Sequence, residues 1–495
     1  MGTYITFPEL FILIPLFGGI ICFLLPKRFA ANFAMFFSLA TLTVAIVALK
    51  FTNDEYISWN NVSYEWLKQI GSTYYLGIDG VGRMLTLLTA IGFPIAMYAG
   101  LYKKNLENIR AFVGLLLLAE AGIMGVFLAY DALVFYFYWE LALIPMYFLC
   151  SIWGGDKRIQ TTFKFFVYTF IGSLLMLVGI IYLYSFTEAK VFADGTRSLH
   201  SFSLTAFYHA RVPAESTAWL FWLFFAAFAI KMPIFPLHTW QPATYDQSPT
   251  AVTMILSGIM VKMGLLGVIR WLIPIFPAVA VQVADIVIIL SLIGIVYASC
   301  LAIVQDNLKK LVAYSSIAHI GLMCAALFSS TTLGIQGAFL QMFNHGINII
   351  ALWLVVDVIE KHTGVKRLSE LGGLATKAPS LTIALVVIAC ANIALPLTNG
   401  FVGEFMMFAG LWKMNPWYAA VAGLGVILAA VYTLNMIQKI FFGEVVQSTS
   451  ASTDINLYQK VLFGVLITGI IYLGIFPQQI IDMTSINLKL LGNLK

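Results

Sequence analysis

The sequence predicts an all-α polytopic membrane protein of about 14 transmembrane helices, and three observations carry that prediction. Hydrophobic residues make up 61% of the chain. Its 28 basic and 23 acidic residues amount to 10% charged, against about a quarter in ordinary soluble domains. Apolar windows near the 20 or so residues that a helix needs to cross the hydrocarbon core recur along the whole length. This composition excludes a soluble enzyme, a disordered tail and a nucleic-acid binder. The net charge of +5 therefore bears on membrane orientation, and the lipid bilayer is the first expected partner.

The first window runs from Tyr4 to Leu25 with no basic leader, so it reads as a first helix and not as a cleaved signal. Further windows fall at 29–50, 80–101, 111–129, 132–152, 163–186, 217–238, 249–272, 283–304, 309–329, 333–359, 380–412, 417–442 and 458–477, fourteen spans in all. Backbone groups in lipid must be satisfied within their own segment, which makes these spans helices. The longest connections are 51–79 and 187–216. The first holds Trp59, Tyr64, Trp66, Tyr74 and Tyr75, aromatic residues that suit the membrane interface. Loops after odd-numbered spans hold 16 Lys and Arg, against 10 on the other side. That bias puts the richer side in the cytoplasm and both termini on the non-cytoplasmic side, as in a multi-pass protein of a bacterial inner membrane.

The cysteines Cys22, Cys150, Cys300, Cys324 and Cys390 never approach a C-x-x-C spacing. Iron–sulfur and structural zinc sites need clustered thiolates, and no glycine-rich nucleotide motif or Walker lysine is present. No metal and no redox or nucleotide cofactor is expected on this chain. Asn61-Val-Ser63 matches a glycosylation sequon, a pattern too short to carry weight.

Two spans are interrupted. The seventh reads Lys231-Met-Pro233-Ile-Phe-Pro236-Leu-His238, and the twelfth carries Leu395-Pro396-Leu-Thr-Asn399-Gly400; proline removes a donor and breaks a helix. Broken helices at matching places in two halves point to inverted repeats around a transport site. The chain divides on this reading into 1–110, a three-helix segment with an interfacial loop; 111–272 and 283–442, two inverted five-helix repeats each forming a half-channel; and 443–495, a C-terminal helix.

The most informative residues are ionisable groups at mid-span. Each costs about 2.5–3.5 kcal/mol on insertion scales, so such groups face the bundle interior and mark ion pathways. In chain order they are Glu140, Lys231, Lys262, His319, His345 and Glu404. An acid, two bases, two imidazoles and an acid make up the set of titratable groups that a proton relay along the membrane plane requires. Each also has a plainer reading. Glu140 and Lys231 form either a gate or a structural ion pair, and His319 and His345 are either relays or satisfied core histidines. Glu404 beside a broken helix can be structural, whereas Lys262 has no second buried acid left to neutralise it. Glu120 is open between relay and packing, and His238 between a helix cap and a secondary relay.

Three runs then acquire a family likeness. Phe137-Tyr138-Trp139-Glu140, Lys231-Met-Pro-Ile-Phe-Pro-Leu-His-Thr-Trp240 and Leu311-Val-Ala-Tyr-Ser-Ser-Ile-Ala-His319 resemble the antiporter-like subunits of respiratory complex I, which are related to subunits of multi-subunit cation/proton antiporters. Glu404 in Gly400-Phe-Val-Gly-Glu404-Phe resembles the M-type branch, where the sister subunits place lysine. The resemblance implies that Glu140 pairs with Lys231 as a switch and that Lys262 is the central carrier. His319 and His345 would bridge two half-channels, and Glu404 would be the exit acid. It implies neighbouring L-type and N-type subunits as partners, with FMN, iron–sulfur clusters and quinone held elsewhere in the complex. Two departures stand out: Gln241-Pro242-Ala243-Thr244-Tyr245 replaces the usual Leu-Pro-Asp-Ala-His, and Asn307 replaces the usual acid before Leu-Lys, with Asp306 one position earlier. The function expected is proton translocation driven by quinone reduction on other subunits. The alternatives are a Na⁺/H⁺ antiporter subunit, which Glu404 argues against, and a structural spacer, which would gain by losing each buried charge.

Overall fold

The computed structural model describes residues 5–51, 57–101 and 107–492. Tyr4 of the first apolar window and Lys103, Lys104 and Lys495 of the loop charge count lie outside them. Thirteen helices among the described residues are long and apolar enough to cross a membrane. They are α1 (Phe7–Leu24), α2 (Lys27–Ala48), α3 (Gly80–Leu101), α4 (Ile109–Leu128), α5 (Ala132–Trp153), α6 (Arg158–Tyr184), α7 (Ala214–Lys231), α8 (Thr250–Leu272), α9 (Ala284–Ile303), α10 (Leu308–Phe328), α11 (Thr332–Thr363), α14 (Pro416–Phe441) and α15 (Leu457–Ile475). The twelfth expected span is two shorter helices, α12 (Pro379–Asn392) and α13 (Asn399–Met414).

The chain forms two compact units. The first comprises Met1–Met232, Met260–Gln282 and Ser485–Lys495. Its helices approach through small residues, as membrane helices do when dispersion and not hydrophobic exclusion drives contact. Gly19 faces the Gly114 carbonyl, Gly122 faces the backbone of Ala142, and Gly125 lies under the Tyr138 ring. Asp131 starts α5 by accepting from the amides of Leu133 and Val134. The same carboxylate takes the Ser72 hydroxyl and the Thr73 amide, tying α5 to a feature the all-helical expectation lacked. Residues 61–77 form a β-hairpin, β1 (Asn61–Leu67) against β2 (Ser72–Gly77), with Tyr64 opposite Tyr74. Its turn closes at Gly71, whose φ of 73° suits glycine.

The second unit comprises Pro233–Ile259 and Val283–Thr484. Here α10 and α11 are buried almost throughout. Gly334 meets Gly410 and Gly337 meets the Gly403 carbonyl, so α11 and α13 run backbone to backbone.

Both interruptions are visible in the helix bounds. α7 ends at Lys231, and Met232 supplies the last amide, to Phe228 O, before Pro233, which has none to give. α12 ends at Asn392, and the chain turns through Ala394 and Leu397, both at positive φ, before α13 begins at Asn399. α8 is irregular in another way. It contains two π turns, Leu256–Met260 and Val268–Leu272, on either side of Val261–Gly267. Such bulges are rare and concentrate at functional sites.

Candidate functional site

Six mid-span candidates fall into two groups of three. Glu140, Lys231 and Lys262 belong to the first unit. Lys231 is the last residue of α7 and 3% exposed. The helix macrodipole is negative at that end and favours a cation. Its ammonium lies 5.5 Å from the centroid of the Trp139 ring, a cation–π contact that strengthens when desolvated. Glu140, the next residue along α5, acts on Lys231 through its charge, yet neither Lys231 Nζ nor Glu140 Oε1 has a hydrogen-bond partner. Ser173 of α6 is the polar neighbour of Glu140. The two are therefore coupled through space and not locked in a direct ion pair, which leaves the separation adjustable. Lys262 is fully buried between the π turns of α8. Two residues on, Gly264 touches Phe228 O and Met232, so this stretch packs on the end of α7.

His319, His345 and Glu404 belong to the second unit, and there the contact is direct. His319 Nδ1 lies 3.1 Å from Glu404 Oε1 with both side chains buried. Gln341 Nε2 donates to the same carboxylate oxygen at 3.3 Å. The His319 and His345 rings are 5.5 Å apart. His345 Nε2 meets Ser316 Oγ at 3.4 Å, and Ser257 Oγ donates to Ser316 at 3.4 Å. His319, Glu404, Tyr432 and Ile393 help to line a cavity of about 20 Å³, room for one water. An imidazole can take a proton at one nitrogen and give it up at the other. The series holds the right proton-exchanging groups, but His319 Nε2 has no hydrogen-bond partner among the described residues, so transfer between the two imidazoles requires a bridging group or a ring movement.

Residues 129–431 match the family described as NADH:quinone oxidoreductase/Mrp antiporter, transmembrane. The chain belongs to this family. It is 37% identical over 429 residues to NADH-quinone oxidoreductase subunit M of Rickettsia prowazekii, covering 86% of this chain and 85% of that protein. It is 33% identical over 490 residues to F420H2 dehydrogenase subunit M of Methanosarcina mazei, covering 98% of each. Among solved structures, a chain of respiratory complex I from Thermus thermophilus with bound NADH superposes with a TM-score of 0.85 and 28% identity, over 98% of this chain and 99% of that one.

The secondary candidates of this family member have neighbours of their own. Glu120 is fully buried in the first unit, with Ser38 as its polar neighbour. The His238 ring stacks on Phe235 at 5.7 Å and meets Tyr297 edge-on at 5.5 Å in the second unit. The departures from the family pattern have local roles. Asn307 caps α10 by accepting from Lys310 N and donates to Asp246 at 2.8 Å. Asp306 accepts from both the amide and the hydroxyl of Ser369. Burial pushes its carboxyl up, but those bonds and the charges of Lys439 and Arg367 outweigh it and hold it below the ordinary range. Tyr245 is fully buried edge-on to Trp353.

Sequence reasoning missed two polar clusters. Arg270, in the second π turn of α8, pairs with Asp79 at 2.8 Å while its guanidinium covers Tyr130 at 4.7 Å. Burial raises the Asp79 carboxyl, and Arg270, the Gly82 amide and Asn487 overcome it, leaving it below the usual value. Arg270 stood in the count of loop charges, where nothing separated it from a surface residue. The second cluster is Gln341, Asn344 and Asn348 on α11, all buried. Their spacing of three and four residues in an otherwise apolar span was the available signal.

Proposed function

We propose that this chain is a proton-translocating membrane-arm subunit of a quinone-reducing oxidoreductase of the complex I type, of the M branch, with no redox centre of its own. The observation that carries the reading is the buried His319–Glu404 contact at the interruption of the twelfth span. A spacer would not bury an imidazole and a carboxylate against each other when apolar residues of equal volume cost less. Glu140 and Lys231 act as the gate, and the charge state of one changes the energy of ionising the other. Lys262 is the central proton carrier. Protons reach His319 by way of Ser316 and His345. Glu404 takes the proton from His319 Nδ1 and releases it on the exit side.

The same reading takes 111–272 and 283–442 as inverted repeats, the lysine- and arginine-rich loops as cytoplasmic, and L-type and N-type subunits as neighbours. Electrons arrive elsewhere in the complex. The two M-type relatives are named for NADH and for F420H2 as donors, and the proton chemistry above is indifferent to which is used.

Lys231→Ala and Glu140→Gln test the gate in the intact complex reconstituted into vesicles. Each variant should assemble and lose vesicle acidification, by about 10²-fold or more as for other positioned proton-transfer groups. Electron transfer should fall in parallel where coupling is tight. Normal acidification by either variant removes the gate from the mechanism. Acidification that requires sodium in the wild type would favour the antiporter reading instead.

A further inference from the structure

The second π turn of α8 is pinned by its neighbours. Pro274 stands four residues after Arg270; it has no N–H to donate to the Arg270 carbonyl, and its ring crowds that oxygen. The wider turn accommodates it. Ile273 N donates to Val268 O at 3.0 Å, and the Tyr208 hydroxyl donates to the stranded Arg270 O at 2.9 Å. The Arg270 guanidinium holds the same turn through its side chain, with Nη2 on Asp79 Oδ1 and Nη1 on Phe127 O, both at 2.8 Å. Trp271 is the next residue. Its ring packs on Phe135 of α5 at 5.0 Å and meets Phe207 edge-on at 6.1 Å. Phe135 packs in turn on Trp139 at 5.5 Å, the ring that faces the Lys231 ammonium. Trp271, Phe135 and Trp139 are each 1% exposed. Neither indole N–H has a hydrogen-bond partner among the described residues, and neither has Lys231 Nζ. Packing alone therefore sets where these rings lie, and no hydrogen bond holds the ammonium independently of the Trp139 ring.

We propose that Trp271 is a positioning residue for the gate: from the pinned turn it holds Phe135, and through Phe135 the Trp139 ring that seats the Lys231 ammonium. A close-packed interior transmits such a contact, because a displaced ring moves its neighbours. Glu140 follows Trp139 along α5, so its place is fixed by the helix backbone when that ring turns. A shift of the Trp139 side chain therefore changes the separation of Lys231 from Glu140 from the lysine side alone. The cation–π contact holds to about 6 Å from the ring centroid. At 5.5 Å it is close to that limit, and a movement of about 1 Å ends it. Tyr208 and Arg270 act one step further back, by fixing the turn. Trp271 exchanges no proton itself and acts only through the two rings. The positioning of Trp139 stands on this geometry; its effect on pumping rests on the reading of Lys231 as part of the gate.

Two measurements on the intact complex test it. Single-particle maps of the Trp271→Leu and Tyr208→Phe complexes should show the Trp139 ring moved off the Lys231 ammonium, with the His319–Glu404 contact of the second unit unchanged. An unmoved ring in either map overturns the proposal. Tyr208→Phe deletes a single hydroxyl and keeps the test decisive where the leucine variant fails to assemble. In vesicles, Trp271→Leu should cut acidification at least about tenfold at normal complex yield. Trp271→Phe, which keeps a ring against Phe135, should retain most of it, and equal loss in both overturns the positioning role. Trp139→Leu/Trp271→Leu should pump no worse than Trp139→Leu alone, because residues acting in series are not additive; losses that multiply overturn transmission through Trp139. Lys231→Ala separates the two readings. If Lys231→Ala pumps normally while Trp271→Leu displaces the Trp139 ring, the gate assignment fails and the positioning stands. If Lys231→Ala is inactive while Trp271→Leu pumps normally, the positioning role fails alone.

Discussion

Replacing Glu404 with glutamine is the sharpest perturbation of the second unit. The amide fills the same volume and can still accept from Gln341, but it can neither ionise nor exchange a proton. His319 Nδ1 and Glu404 Oε1 are 3.1 Å apart. Between a protonated imidazole and an ionised carboxylate at that distance the attraction is about 5 kcal/mol at an effective dielectric near 20. If only half of that is used in drawing the proton from His319, its loss slows the step by about 100-fold. The assay compares two initial rates in vesicles holding the intact complex: acidification, read with a pH-sensitive dye, and quinone reduction, read with an uncoupler present. Glu404→Gln should lose acidification by that factor while assembling normally. Glu404→Asp should keep much of it, because the carboxyl survives and only one methylene of reach is lost. Glu404→Lys, which imitates the sister subunits, should function in part. A purely structural role ranks the three the other way, with Gln tolerated and Lys failing to assemble. Full pumping by Glu404→Gln would refute the reasoning.

Three further outcomes follow from the packing and the caps. A methyl at Gly403 would come within 2.7 Å of Gln341 Oε1, so Gly403→Ala should destabilise the complex by about 1–3 kcal/mol and lower pumping; a second change, Gln341→Ala, should relieve it, and no thermal shift would show that the contact yields freely. Asp79 is held below its ordinary value of 3.8 by Arg270 and its hydrogen bonds against the pull of burial. Its stabilisation is therefore complete above about pH 4 and is lost as pH falls through the lower folded value. Thermal scans of wild type and Asp79→Asn should converge only in strong acid, and equal stability at neutral pH would sink the claim. Asn307→Ala removes the cap on Lys310 N and the bond to Asp246; it should cost about 1 kcal/mol and leave acidification unchanged, whereas a pumping defect at normal stability would give Asn307 a part in proton uptake.

Most of the architecture was legible because a membrane simplifies the problem. Apolar length alone decides where a helix can lie, and the window 80–101 coincides with Gly80–Leu101 to the residue. The hairpin at 61–77 was not legible for the opposite reason. Outside the bilayer, strand and loop compete on small differences, and the aromatic residues Trp59, Tyr64 and Trp66 suit an interface in either form. The π turns around Lys262 were illegible as well, since one extra residue in a turn leaves composition unchanged. The charged candidates could be read because each stands out against apolar neighbours. The amides of α11 could not, because Gln341 and Asn344 are uncharged and become informative only when the glycine contacts of α11 and α13 bring them to the break.

The two interruptions use helix ends differently. Lys231 is the final residue of α7, so its ammonium sits where the macrodipole is most negative, and the effect is confined to that last turn. If the helix continued past Pro233, Lys231 would lose that field and depend on Glu140 and the Trp139 face alone. Glu404 lies in the second turn of α13, five residues after Asn399, where the field of the N-terminus has largely decayed. It draws instead on direct donors, His319 Nδ1 and Gln341 Nε2. On the proposed reading, the gate would depend on the integrity of a helix end, and the exit acid on two side chains from neighbouring helices. A base placed at a C-terminus can be released by a small change in the separation from Glu140, with no hydrogen bond to break. The acid at the second break is fixed by hydrogen bonds and can change its charge only by moving a proton. That difference suits Lys231 to switching and Glu404 to transfer.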